Sequence, residues 1–212
     1  MRTGSHALGA MSPILPMVSK HPWPILSLAL QGRDDNLELQ SLVALMNRRI
    51  RHHLARARAA ALNGPARVQT VLAPRIADVV AALSQIHAQR GISTEITADP
   101  NCTVRCEPQD LNEMLGNLID NAFKWASSRV RIWVRSEGSN VSIVIEDDGP
   151  GLSADVIDEV MQPGQRLDEQ APGFGFGLPI ACELAELYGG DLALGRGSLG
   201  GLCSTLTLPA AR

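Results

Sequence analysis

The chain alternates between stretches with a clear hydrophobic period and stretches without one. Residues 1–32 have no clean period. Pro13, Pro16, Pro22 and Pro24 interrupt any long helix, so this part reads as an irregular leader. From Asp34 the pattern sharpens. Leu39, Leu42, Met46, Ile50 and Leu54 recur at three- and four-residue steps, which is one stripe of an amphipathic helix. Asp34, Asp35 and Asn36 suit its start, and Asn63-Gly64-Pro65 ends it. A single helix of this length has nothing of its own to cover the stripe. The pattern therefore predicts a homodimer through the helix at 34–62, inside a unit spanning 33–64.

Beyond Pro74 helix and strand periods mix. Ile76, Val79, Val80, Leu83 and Ile86 predict a helix over 75–89, stopped by Gly91, and the apolar spacing of 109–126 predicts a second. Alternation predicts strands at 92–97, 130–135 and 141–146, with a hairpin turn over 137–140 and a short strand at 103–106. A short helix near 154–160, a polar loop over 162–175, a helix at 179–188 and strands at 191–194 and 203–208 complete the chain. Helices grouped against a largely antiparallel sheet make residues 65–212 an α+β, two-layer sandwich.

Composition narrows the function classes. Net charge is -3 and 45% of residues are hydrophobic, so no basic field points to nucleic acid. Cys102, Cys106, Cys182 and Cys203 lack zinc spacing and read as reduced structural thiols of a cytoplasmic protein. No run approaches the roughly 20 apolar residues that span a bilayer, so no membrane segment is expected. Lysine is confined to Lys20 and Lys124, which isolates Lys124.

Three clusters carry candidate chemistry. Glu113, Asn117 and Asn121 share a helical face, with Lys124 on it one turn later. Amide oxygens can bind Mg²⁺ without adding charge, and a lysine beside them can meet a phosphate. A solvated helix face is the ordinary alternative. The second cluster, Glu146-Asp147-Asp148-Gly149-Pro150-Gly151, follows an apolar strand. There Asp147 can accept from an exocyclic amino group, and glycines let backbone approach a flat ring. An acidic turn is the ordinary alternative. The third, Gly173-Phe174-Gly175-Phe176-Gly177-Leu178, opens a helix whose N–H groups can wrap phosphates. It is not a P-loop, and a loop rather than a strand precedes it.

In this order, the Asn/Lys helix, the strand-end DxGxG and the GxGxGL at a helix start resemble the N, G1 and G2 boxes of the histidine-kinase ATP-binding domain. Its Bergerat (GHKL) fold is shared with gyrase, Hsp90 and mismatch-repair ATPases. The resemblance covers residues 74–209. Its runs Gly116 to Trp125, Glu146 to Gly151 and Pro163 to Arg166 are most similar to PhoQ-type sensor kinases. It implies an ATP-dependent protein-histidine kinase of a two-component system. Asp147 would hydrogen-bond the adenine amino group, with Gly149 and Gly151 shaping the base pocket and Trp125 beside the nucleotide. Asn117 and Asn121 would hold Mg²⁺ on the triphosphate of ATP. Lys124 and Arg166 would contact phosphate oxygens. Gly173, Gly175, Gly177 and Leu178 would wrap the phosphates at the end of a lid over 162–173, and Gly200 and Gly201 would open the last strand. Residues 33–64 would be the second dimerisation helix, residues 1–32 a leader or remnant of the first, and a response-regulator receiver domain the partner. Full-length relatives are membrane-bound, so the chain would be cytoplasmic or the cytoplasmic portion of an inner-membrane sensor.

The acceptor region departs from the family pattern. Ser5-His6-Ala7-Leu8 offers His6 as acceptor, but Ala7 replaces the expected acid and Pro13 lies too far on. Pro22 follows His21, His52 and His53 read as packing or solvated residues of the second helix, and His87 as a solvent-facing polar residue. Three other functions therefore stay open: a nucleotide-binding regulatory module that transfers nothing, an anti-sigma-type serine kinase of the same fold, and a gyrase- or Hsp90-like ATPase. The ATPase would need a general-base Glu where Asn117 stands, and the serine kinase would lack the helix at 34–62.

Overall fold

The structure, a computed structural model, describes residues 68–153, 156–157, 160–161 and 177–211. The elements run β1 (Thr70–Val71), α1 (Leu72–Ile86), a 3-10 turn (Ala88–Arg90), β2 (Ser93–Thr97), β3 (Thr103–Val104), α2 (Pro108–Trp125), β4 (Arg129–Glu137), β5 (Asn140–Asp147), α3 (Gly177–Leu187), β6 (Asp191–Arg196) and β7 (Leu202–Pro209). Val156, Ile157 and Val160 are helical, within the short helix expected there.

The main sheet has five strands in the order β2-β4-β5-β7-β6, and β1 and β3 form a separate two-stranded pair. Within the main sheet β2 runs parallel to β4 and every other pair is antiparallel. The β4–β5 register pairs Glu137 with Asn140, so the turn is the two residues Gly138-Ser139. Gly138 takes φ 62° there, the left-handed conformation a tight hairpin turn requires.

The helices form the second layer. α2 packs on α1, α3 and β5, while α3 rests on β6 and β7. Leu111, Met114, Leu115, Leu118, Ile119 and Phe123 of α2 are fully buried. They meet Ile132, Ile143, Ile145 and Leu206 of the sheet in one core, where each such side chain contributes about 1.5–3 kcal/mol by leaving water. The expected α+β sandwich is therefore the observed one.

Two details differ from expectation. α1 begins at Leu72, so Pro74 lies inside its first turn, where the missing N–H breaks no intrahelical bond. The pattern of β5 suggested a half-exposed strand, but Val141 to Asp147 are all buried, Ser142, Val144 and Glu146 included. β5 lies between β4 and β7 at the centre of the sheet.

Candidate functional site

The site starts where β5 ends. Flanked by strands on both sides, β5 delivers Asp147 with only 1% of its surface exposed. Asp147 Oδ1 accepts hydrogen bonds from the backbone N–H of Gly149 at 2.9 Å and of Leu202 at 3.2 Å. Burial raises the Asp147 pKa above the ordinary carboxylate value, and the charges of Asp148 and Glu146 push the same way. The two backbone bonds oppose the rise.

Backbone crowds this carboxylate so closely that side chains have no room. A Cβ at Gly201 would stand 2.1 Å from Asp147 Oδ1, and one at Gly149 would stand 2.3 Å from the carbonyl oxygen of Trp125. Both positions therefore need glycine. Trp125, the last residue of α2, is 36% exposed at this edge. Gly151, at φ 69°, packs against Gly200 and Gly201. The strand-end motif, the end of α2 and the start of β7 thus meet around one acid.

Asp148 behaves in the opposite way. Its Oδ1 accepts from the N–H groups of Ser127 at 2.8 Å, Ser128 at 2.9 Å and Arg129 at 2.9 Å. Its Oδ2 accepts from the Ser128 hydroxyl at 2.7 Å and more distantly from the Ser128 N–H at 3.2 Å. Desolvation pushes its carboxyl upward, but the N–H groups of Ser128, Arg129 and Ser127 and the Ser128 hydroxyl outweigh it and hold the group well below the usual carboxylate range. Glu146 plays a similar fastening part. It takes the Ser198 N–H at 3.0 Å and the Ser198 hydroxyl at 2.9 Å, closing the β6–β7 turn.

Along α2, Asn117, Asn121 and Lys124 are half-buried. Gly177 opens α3 against Asn117, since a Cβ there would lie 3.4 Å from Asn117 Oδ1. The last glycine of the third sequence cluster is therefore joined to the first cluster, and Leu178 packs against the core. Lys124 Nζ pairs with Asp120 at 2.5 Å, and the other Asp120 oxygen takes His87 Nε2 at 2.9 Å. His87 corrects the sequence reading. Its side chain is 14% exposed and its ring lies 5.7 Å from that of Phe123, so it is a packed partner of α2 rather than a solvent-facing residue. Arg90 donates to the carbonyls of Phe123, Lys124 and Ala126, covering the open C-terminus of α2.

His6, Arg166, Gly173 and Gly175 lie outside the described residues, as do the helix at 34–62, residues 1–32 and the lid segment. The roles of Asp148, Glu146, His87 and Arg90 were not read from the sequence. Only the Asp120–Lys124 pair carried a local signal, its four-residue helical spacing. The four cysteines are free thiols, as expected. Among the described residues no helix is long and apolar enough to cross a membrane.

Residues 106–212 match the family of histidine kinase-, DNA gyrase B-, and HSP90-like ATPases, and the chain belongs to it. Its curated relatives include sensor kinases of Pseudomonas aeruginosa. The chain is 42% identical over 136 residues to the sensor protein kinase CarS, covering 64% of this chain and 30% of CarS. It is 34% identical over 172 residues to the two-component sensor PhoQ, covering 81% of this chain and 38% of PhoQ. The PhoQ-type resemblance read from the motifs thus has a counterpart, and the chain spans about a third of these relatives' length. Two solved structures share the fold at 23% identity. The mycobacterial sensor histidine kinase MprB aligns with TM-score 0.61 over 68% of this chain and 97% of its own. Full-length ShkA in complex with AMPPNP aligns with TM-score 0.58 over 82% of this chain and 39% of its own.

Proposed function

We propose that the chain binds Mg-ATP and serves as the catalytic part of a two-component sensor histidine kinase, delivering the γ-phosphoryl group to a histidine and thence to a response regulator. The observation that carries this reading is the placement of Asp147. A nearly fully buried carboxylate sits at the end of β5, framed by Gly149, Gly201 and Trp125, beside the helix that bears Asn117, Asn121 and Lys124. Asp147 Oδ2 would accept from the adenine amino group, with the peptide planes at Gly149 and Gly201 lying against the ring. ShkA, a protein that shares this fold, was solved in complex with the ATP analogue AMPPNP, which supports the nucleotide-binding reading.

Magnesium fits the residues present. Among the described residues no group of three or more His, Cys, Asp or Glu side chains could hold a metal ion alone. Asn117 and Asn121, half-buried neutral amides on one face of α2, suit a cation that brings phosphate oxygens as its own anionic ligands. When bound, the ion would neutralise charge on the triphosphate. Lys124, with Arg166, would orient phosphate oxygens, and the N-terminus of α3 at Gly177 would present its free N–H groups to them. The protein's contribution to transfer is then positioning and charge compensation. His6 is the proposed acceptor, the helix at 34–62 the dimer contact, and a receiver domain the next partner. The proposed location is the cytoplasm, alone or as part of a membrane sensor.

The test uses the full chain with γ-labelled ATP, alone and with an acceptor-histidine domain. Acid-labile, alkali-stable label on protein is the expected result. Label on serine would indicate an anti-sigma-type kinase, free phosphate an ATPase, and intact bound ATP a regulatory module. Any of these three overturns the kinase reading.

A further inference from the structure

Only Asp147 among the acids of the strand-end motif is placed at the base pocket, yet Asp148 makes more contacts. Five hydrogen-bond contacts join its carboxylate to the three successive residues Ser127, Ser128 and Arg129. Its own N–H donates to the Arg129 carbonyl at 3.2 Å. Successive N–H groups converging on one anion form a concavity that fixes the local backbone, and charge-assisted bonds of this kind are roughly twice as strong as neutral ones.

The segment so fixed has a particular neighbour. Ser127 lies two residues beyond Trp125, whose carbonyl already fills the space of a Cβ at Gly149. The distance between the end of α2 and the Gly149 turn is therefore set by the link from Asp148 to residues 127–129. Resting on the nucleotide reading above, we propose that Asp148 is a positioning residue for base recognition: it clamps the α2–β4 connection against the strand-end turn and so fixes the width of the purine slot. It touches neither base nor phosphate. Its effect on binding is exerted through Trp125 and Gly149, and so belongs to the base and not to the triphosphate.

This separates it from a general stabilising role. Calorimetric titrations would compare the wild-type chain with Asp148→Ala and Asp148→Asn, using ATP, adenosine and inorganic tripolyphosphate, each with Mg²⁺. Asparagine keeps one oxygen for the three N–H groups and an amide that can donate to the Ser128 hydroxyl. Asp148→Ala is expected to weaken ATP and adenosine by about tenfold, the factor that follows from about 1.4 kcal/mol, with tripolyphosphate unchanged. Asp148→Asn is expected to restore most of that loss. Should the alanine variant not fold, Asp148→Glu keeps the charge but displaces it, and is expected to show the same base-specific loss. Equal weakening of tripolyphosphate, an unaltered adenosine affinity, or an asparagine variant as weak as alanine overturns the proposal. A wild-type chain that binds tripolyphosphate but neither ATP nor adenosine in preference to it overturns the nucleotide reading itself.

Discussion

The half of the site assigned to the base and the half assigned to the phosphates are made of different materials. Around Asp147 nearly everything is backbone: two N–H groups fix the carboxylate, and Gly149 and Gly201 leave no space for a side chain. Along α2 the groups are half-buried side chains, and the cation among them already has a partner, Lys124 on Asp120. A rigid frame suits a ligand part of fixed shape, such as a purine. Side chains that exchange partners suit a triphosphate whose terminal group has to leave. On the proposed assignment, preorganisation would be concentrated at the base.

That contrast can be broken by substitution. The largest expected effect is on the side-chain half. Asn121→Ala should lower phosphoryl transfer by roughly a hundredfold or more, the scale of losing one group that compensates charge in the transition state, while metal-free nucleotide binding changes little. Single-turnover assays with Mg²⁺ read the first quantity, and calorimetric titration of ATP without Mg²⁺ reads the second. On the backbone half, Gly201→Ala places a Cβ 2.1 Å from the Asp147 carboxylate. It should cost about 1–3 kcal/mol of stability through overpacking, seen in thermal unfolding, and should weaken ATP binding more than tenfold. The smallest effect belongs to Asp120→Ala. Partly exposed ion pairs contribute about 0–1 kcal/mol, so freeing Lys124 should tighten ATP by no more than about fivefold and leave adenosine affinity unchanged. An equal shift for both ligands would erase the distinction between the halves.

The sequence revealed the two halves unevenly. α2 was plain because its apolar residues repeat at helical spacing and seven of its side chains are buried on one face. The hairpin of β4 and β5 was plain from alternation, and its turn falls at the expected residues 137–140, with Gly138-Ser139 at its centre. The parallel pairing of β2 with β4 had no local signal, because the whole of α2 separates them. β1, with two residues, is shorter than any period. At the site, Asp147 and the asparagines were legible as motif residues on identifiable elements. His87 and Arg90 were not, since each finds its partners more than thirty residues away in α2. Asp148 stood in plain view, but the motif that singles out Asp147 gives its neighbour no role, and nothing local to Asp148 shows that it fastens residues 127–129. Strand pleat and turn geometry decide that.

The central claim is that Asp147 accepts from the amino group of adenine. It is tested most directly by calorimetric titration of Mg-ATP and Mg-GTP into the wild-type chain and Asp147→Asn. Loss of a buried charged acceptor costs about 1.5–3 kcal/mol. The expected result is a wild type that prefers ATP, and a variant in which ATP affinity falls by roughly tenfold to a hundredfold and the preference over GTP disappears. An ATP affinity unchanged in the variant, in a protein that remains folded, would contradict the assignment.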